Sequence, residues 1–191
     1  MNILSIGGSD PSSGAGIQSD IRVFSKLGAH TLTVITAITS QNTSKFGTVE
    51  PVSPKMLKKQ LESLFSDFKI DGIKIGMVYN SKIIKVIHQQ LNKLKIPIVV
   101  DPVIKSTTGG NLIEHNAKKD FQKYIIPLAT IITPNKTVII NKIKLFFRSS
   151  TKRLLSISSR IFFTGVVTMK KNLFSPSMLI GVPVLITSPA L

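Results

Sequence analysis

The chain has 191 residues, 42% hydrophobic and 18% charged, enough for one domain with a real core. It has no cysteine, which excludes disulfides and thiolate metal sites and fits a reducing cytoplasm. The formal net charge is +16 but uneven: residues 1–120 hold 15 Lys+Arg and all 9 Asp+Glu, whereas residues 121–191 hold 10 Lys+Arg and no acid.

A folded surface mixes both signs, so the acid-free stretch has three readings. It is a patch for nucleic acid or anionic lipid, a chance bias on a solvated face, or a segment foreign to the original fold, such as the product of a shifted reading frame. A strand-like pattern begins within two residues of the start, so no signal peptide is expected. The longest C-terminal apolar stretch, 178–191, is too short for a bilayer and holds two prolines.

In chain order, residues 2–7 read as a buried strand. A loop rich in glycine and serine follows, whose N–H groups at a helix start suit an anion or a polar ligand. Ile17, Ile21, Phe24 and Leu27 recur at helical spacing and predict a helix from about 15 to 27, stopped by Gly28. Residues 31–37 are β-branched and apolar on both parities, which predicts a central strand buried on both faces. Residues 40–44 read as a loop and 45–52 as a short extended piece. Pro54 begins a helix with Ser53 as its N-cap, and Leu57, Leu61, Leu64, Phe65 and Phe68 form its apolar face. A strand at 72–76 precedes a helix capped by Ser81, with Ile84, Ile87 or Val86, Leu91 and Leu94 facing inward. Strands at 96–100 and 129–132 flank a helix at 117–126. Beyond Asn135 the periodicity decays, with one further strand at 160–169.

Alternating strands and helices with short connections predict βαβ units and a parallel sheet. Polar or glycine-rich segments follow the strand ends at 7–16, 40–43, 76–80, 101–110 and 133–135. That edge of an open α/β sheet is where ligands bind. His30, His88 and His115 do not cluster and read as surface or packing residues.

Five segments occur in order: Gly7-Gly-Ser-Asp-Pro-Ser-Ser-Gly-Ala-Gly-Ile-Gln-Ser-Asp20, Val34-Ile-Thr-Ala-Ile-Thr-Ser-Gln-Asn-Thr43, Ile73-Lys-Ile-Gly-Met77, Val100-Asp-Pro-Val103 and Leu128-Ala-Thr-Ile-Ile-Thr-Pro-Asn135. Together they resemble the hydroxymethylpyrimidine/phosphomethylpyrimidine kinases of thiamine biosynthesis, over about residues 2–136. The resemblance implies a ribokinase-like three-layer α/β/α fold with a mostly parallel central sheet. It implies a kinase core at 1–136 with its C-terminal part incomplete, and a basic tail at 137–191. It also implies a cytoplasmic homodimer that uses ATP and Mg2+ to phosphorylate 4-amino-5-hydroxymethyl-2-methylpyrimidine and then its monophosphate. No nucleic-acid or membrane partner is implied.

The resemblance also assigns residues. Gly8, Asp20, Gln41, Met77 and Val103 match the pyrimidine side. A primary amide such as Gln41 can meet an aminopyrimidine edge with its own acceptor and donors. Met77 and Val103 serve equally well as plain core. Asp101, Lys105 and Asn135 match the nucleotide side, with Asp101 near the metal; otherwise Asp101 is an Asp-Pro turn starter.

Two features of the family are missing. No acid follows Thr133-Pro-Asn135, and no Gly-Thr-Gly motif, the family's anion hole and hydroxyl-activating segment, occurs in 136–191. No catalytic residue of that motif is therefore assigned. The end of the match and the vanished acids point to a reading frame broken just after Asn135. The sequence leaves a pyrimidine kinase by descent, with a non-catalytic pyrimidine-binding remnant as the alternative and a pyridoxal kinase-like enzyme behind both.

Overall fold

The computed structural model describes residues 1–106 and 109–133. Asn135, the strand expected at 160–169 and the tail from 137 lie outside the described residues. The elements run β1 (Asn2–Ser9), α1 (Gly16–Lys26), β2 (His30–Gln41), β3 (Phe46–Pro51), α2 (Pro54–Asp67), β4 (Gly72–Ile75), α3 (Ser81–Leu91), β5 (Ile98–Val100), α4 (Ala117–Asp120) and β6 (Ile131–Ile132). They form one sheet of order β3-β2-β1-β4-β5-β6. Only β3 runs antiparallel to its neighbour; the other pairs are parallel.

β1 is the more completely buried strand, and β2 is also covered on both faces, by α1 and α2. Residues Leu4 to Gly8 are all buried, as an apolar run between two parallel neighbours requires. In β2, Leu32, Val34, Thr36 and Ala37 are buried while Thr31, Thr33 and Ile35 are half-buried. Where β3 does not reach, the Gln60 amide of α2 accepts from the Ile35 N–H (2.9 Å) and donates to its carbonyl (3.1 Å). Leu57 and Leu61 of α2 and Ile83, Ile84, Ile87 and Leu91 of α3 are buried in the core on Ile6, Val34, Ile75 and Val100.

On α1 only Ile17 is buried; Ile21, Val23 and Leu27 stay exposed, against the four-residue face read from the spacing. This helix packs on β1 and β2, whereas α2 and α3 pack on each other as well as on the sheet. Gly28 does stop α1: at φ 76° it donates to the Ser25 carbonyl and Ala29 donates to that of Phe24.

Ser53 caps α2, accepting from the Met56 N–H at 3.1 Å. Replacing it with alanine is expected to cost about 1 kcal/mol in a thermal melt followed by circular dichroism. The cap of α3 is Asn80 rather than Ser81: its Oδ1 accepts from the Ile83 N–H at 3.0 Å. The helix expected at 117–126 changes character, with α4 passing into a π turn at Phe121–Ile125 and a 3-10 turn at Ile126–Leu128. Pro127 has no N–H to continue an α-helical ladder.

Candidate functional site

The sheet defines where a ligand would sit. The chain moves from β1 to β2 on one side, then returns to β4 on the other side of β1. The order reverses between β1 and β4, and such a switch point opens a crevice beyond the carboxyl ends of the strands. Gly8 and Met77 meet there. A Cβ on Gly8 would lie 2.7 Å from the Met77 sulfur, so glycine allows the Met77 side chain to seat against the end of β1 and a larger residue would displace it.

Two threonines pin the strand ends around this crevice. Thr36 donates to the Met77 carbonyl at 2.7 Å and Thr39 to the Ser9 carbonyl at 2.9 Å. Met77 packs with Ala37 and Leu112 in a small apolar cluster that Phe46, Tyr79 and Val103 also join. The structure thus brings Gly8, Met77 and Val103 together. Gln41 ends β2 rather than lying in a loop, opposite Phe46 across the β2–β3 hairpin.

The segment after β5 folds back on itself. Lys105 bridges to Asn111, and Ser106 pairs with Gly110 through backbone and hydroxyl. The Phe46 ring lies directly over Gly110, so this turn and the β2–β3 hairpin touch. Lys105 itself is exposed at the base of the turn.

The loop after β1 is organised by Asp10. Its carboxylate accepts from the Ser12 N–H (2.9 Å), the Ser12 hydroxyl (2.8 Å) and the Ala15 N–H (2.8 Å). Two of the loop's N–H donors, those of Ser12 and Ala15, are thus held by a carboxylate of the loop itself. Burial opposes ionisation of Asp10, but hydrogen bonds from Ser12, Ala15 and Gln41 together outweigh it and hold its carboxyl below the usual carboxylate range. Gln18 of α1 clamps the loop from the other side, accepting from the Asp10 N–H (2.9 Å) and donating to Ser9 Oγ (2.7 Å).

Asp20 reaches down from α1 to the sheet. Its carboxylate accepts from Ser5 Oγ at 2.6 Å and pairs with Lys74 Nζ, which lies 2.9 Å from both oxygens. Asp101, at the end of β5, donates its N–H to the Ile75 carbonyl at 2.8 Å. Burial pushes the Asp101 carboxyl up; Lys74 draws it down and Asp20 adds a smaller upward push. Among the described residues no three His, Asp or Glu stand together as a metal cage. One carboxylate such as Asp101 nevertheless fits magnesium, which is ordinarily held by one or two carboxylates with water and phosphate oxygens.

Sequence reasoning passed over Ser5, Asp10, Gln18, Phe46 and Lys74. The signal for two of them was present: Lys74 and Ser5 are polar positions inside the apolar runs of β4 and β1.

A mostly parallel α/β sheet with polar groups gathered at its switch point is the architecture in which ligands sit at the strand ends. Comparison with known proteins narrows the class. The family model described as phosphomethylpyrimidine kinase matches residues 10–145, past the limit near 136 drawn from the motifs. The hydroxymethylpyrimidine/phosphomethylpyrimidine kinase of Rhizobium meliloti (strain 1021) is 42% identical over 132 residues, 69% of this chain and 50% of that protein. The crystal structure of phosphomethylpyrimidine kinase from Clostridium difficile 630 superposes with a TM-score of 0.73 at 39% identity, covering 87% of this chain and 75% of that one. A pyridoxal kinase from Staphylococcus aureus, solved with AMP-PCP and pyridoxal, gives a TM-score of 0.60 at 32% identity, over 70% of this chain and 48% of that one. The chain belongs to the phosphomethylpyrimidine kinase family and has its ribokinase-like α/β fold. It spans about half the length of the curated relatives it matches. Among the described residues no helix is long and apolar enough to cross a membrane.

Proposed function

We propose that the chain binds 4-amino-5-hydroxymethyl-2-methylpyrimidine and its monophosphate in the crevice between β1 and β4, as the substrate half of an ATP-dependent pyrimidine kinase. The observation that carries this reading is the meeting of Gly8 and Met77 at the switch point. The ring would lie on the apolar side formed by Met77 and Val103, with its amino edge read by the amide of Gln41. The contact between Gln41 and Asp10 supports that role, because it restrains an amide that must present its donor and acceptor in one order.

Transfer would join the hydroxyl oxygen to the γ-phosphorus of ATP, break the bridging bond to ADP and release the hydroxyl proton. Bound magnesium would neutralise charge on the phosphates. Asp101 would help hold it, and Lys105 and Asn135 would lie on the same nucleotide side, as the family resemblance implies. An anion hole for the transferring group is normally a large part of the rate, and 136–191 holds no Gly-Thr-Gly motif to form one.

Calorimetric titration of the purified chain with the aminopyrimidine alcohol, with and without MgATP, tests the reading. Phosphorylated product supports a working kinase, binding without product supports the non-catalytic remnant, and no binding sinks both. Gln41→Ala is expected to weaken binding about tenfold, the loss of hydrogen bonds to a buried polar edge.

A further inference from the structure

We propose that Lys74 is a positioning residue of the pyrimidine pocket, clamping Asp20 so that its carboxylate meets the ligand in a single orientation. The inference rests on the reading that the crevice between β1 and β4 binds the aminopyrimidine.

Lys74 is the charged position in an apolar strand, between Ile73 and Ile75, both buried. It is the register partner of Ser5 on β1. Side chains of partnered residues on adjacent strands share a face, so the register sets an ammonium and a hydroxyl side by side. Asp20 descends on both from α1. The contacts are unusually complete: Nζ lies 2.9 Å from each carboxylate oxygen, and Ser5 Oγ adds a bond of 2.6 Å to Oδ2. The two side chains retain only 21% and 16% of their exposure. A lysine stem is ordinarily free to move; here the ammonium is held at the strand end, with Gly76 leaving room beside it.

The pair is not explained by cohesion alone. Apolar side chains of the same volume hold two elements together as well as a buried ion pair does. The pair uses most of the acceptor capacity of Oδ2 and leaves a lone pair on Oδ1, so the free edge of Asp20 points one way. Lys74 also attracts Asp101 electrostatically, yet its hydrogen bonds go to Asp20. Asp20 is therefore the carboxylate it orients.

The test is titration of the full chain with 4-amino-5-hydroxymethyl-2-methylpyrimidine. Lys74→Met is expected to bind about tenfold more weakly and Lys74→Arg to recover most of the loss, since a charged donor is worth more than a neutral one. Lys74→Gln, which keeps one N–H for Asp20, serves if the methionine variant does not fold and is expected to fall between them. Affinity equal to the parent's in the methionine or glutamine variant overturns the inference while leaving the binding site standing. So does an arginine variant as weak as the methionine one. A parent chain that does not bind the pyrimidine overturns the inference together with the reading beneath it.

Discussion

Asp10→Ala is expected to lower the stability of the domain by about 3 kcal/mol and to loosen the loop between β1 and α1. Beside the contact from Gln41, three hydrogen bonds end on this carboxylate, two from Ser12 and one from the Ala15 N–H. Bonds to a charged group contribute roughly 1.5–3 kcal/mol each. Water replaces part of that, because Ser12 and Ala15 lie at the surface. Alanine also removes the group that meets a backbone donor at the start of α1, a loss comparable to that of a helix cap. Chemical denaturation read by circular dichroism measures the change. A loss below about 1 kcal/mol, the size of a single exposed cap, would show that the loop does not depend on Asp10.

The sign of the pH dependence follows from the same contacts. The Asp10 carboxyl is held below its ordinary range, so its contribution is complete above that range and disappears as pH falls through the depressed value. Asp10→Asn should therefore flatten the acid limb of a melting-temperature profile. Asp101 acts in the opposite sense: burial raises its carboxyl, so its contribution is present at low pH and is lost as pH rises through the raised value. Asp101→Asn leaves the acid limb due to Asp10 in place, which separates the two groups.

The fold was legible where periodicity and caps agreed. Ser53 and Pro54 announced α2, Gly28 announced the end of α1, and apolar runs with polar tails marked the parallel strands. What failed to read depended on neighbours distant in sequence. Nothing in residues 31–37 says which face of β2 is covered more tightly, so the apolar pattern reads as burial on both faces without the half-buried Thr31, Thr33 and Ile35. Ser81 and Asn80 are both good caps, and only the backbone at Asn80, extended before the helix begins, decides between them. The site was legible as a set of strand ends. The loop at 7–16 reads as donors suited to an anion or a polar ligand; what the sequence does not announce is that Asp10 holds two of them, the N–H groups two and five residues after it, by closing on them locally. Lys74 was hidden because a lysine in a strand has meaning only when its register partner, Ser5, and the helix above it are known.

Gly16→Ala is expected to be the most damaging single change in the loop, at about 4 kcal/mol or more. Gly16 begins α1 at φ 63°, in the left-handed region, where an ordinary L-residue pays roughly 1–2 kcal/mol. The larger part is contact. A Cβ there would lie 2.5 Å from the Gly8 carbonyl oxygen, 3.2 Å from the Asp10 nitrogen and 3.3 Å from the Asp10 Cβ. None of these is the end of a flexible side chain; all belong to the end of β1 and the turn that follows it. Relief requires β1 and α1 to separate, which moves Gly8 off Met77 and pulls the Ala15 N–H from Asp10. Gly28→Ala is the control: φ is 76° there, but nothing lies within 4 Å of the added carbon, so it should cost only the roughly 1–2 kcal/mol of conformation. The difference between the two variants in denaturation midpoint isolates the clash. Equal losses in both would mean that α1 can shift freely over the end of β1, and the close seating of loop, helix and Met77 would no longer account for the shape of the crevice.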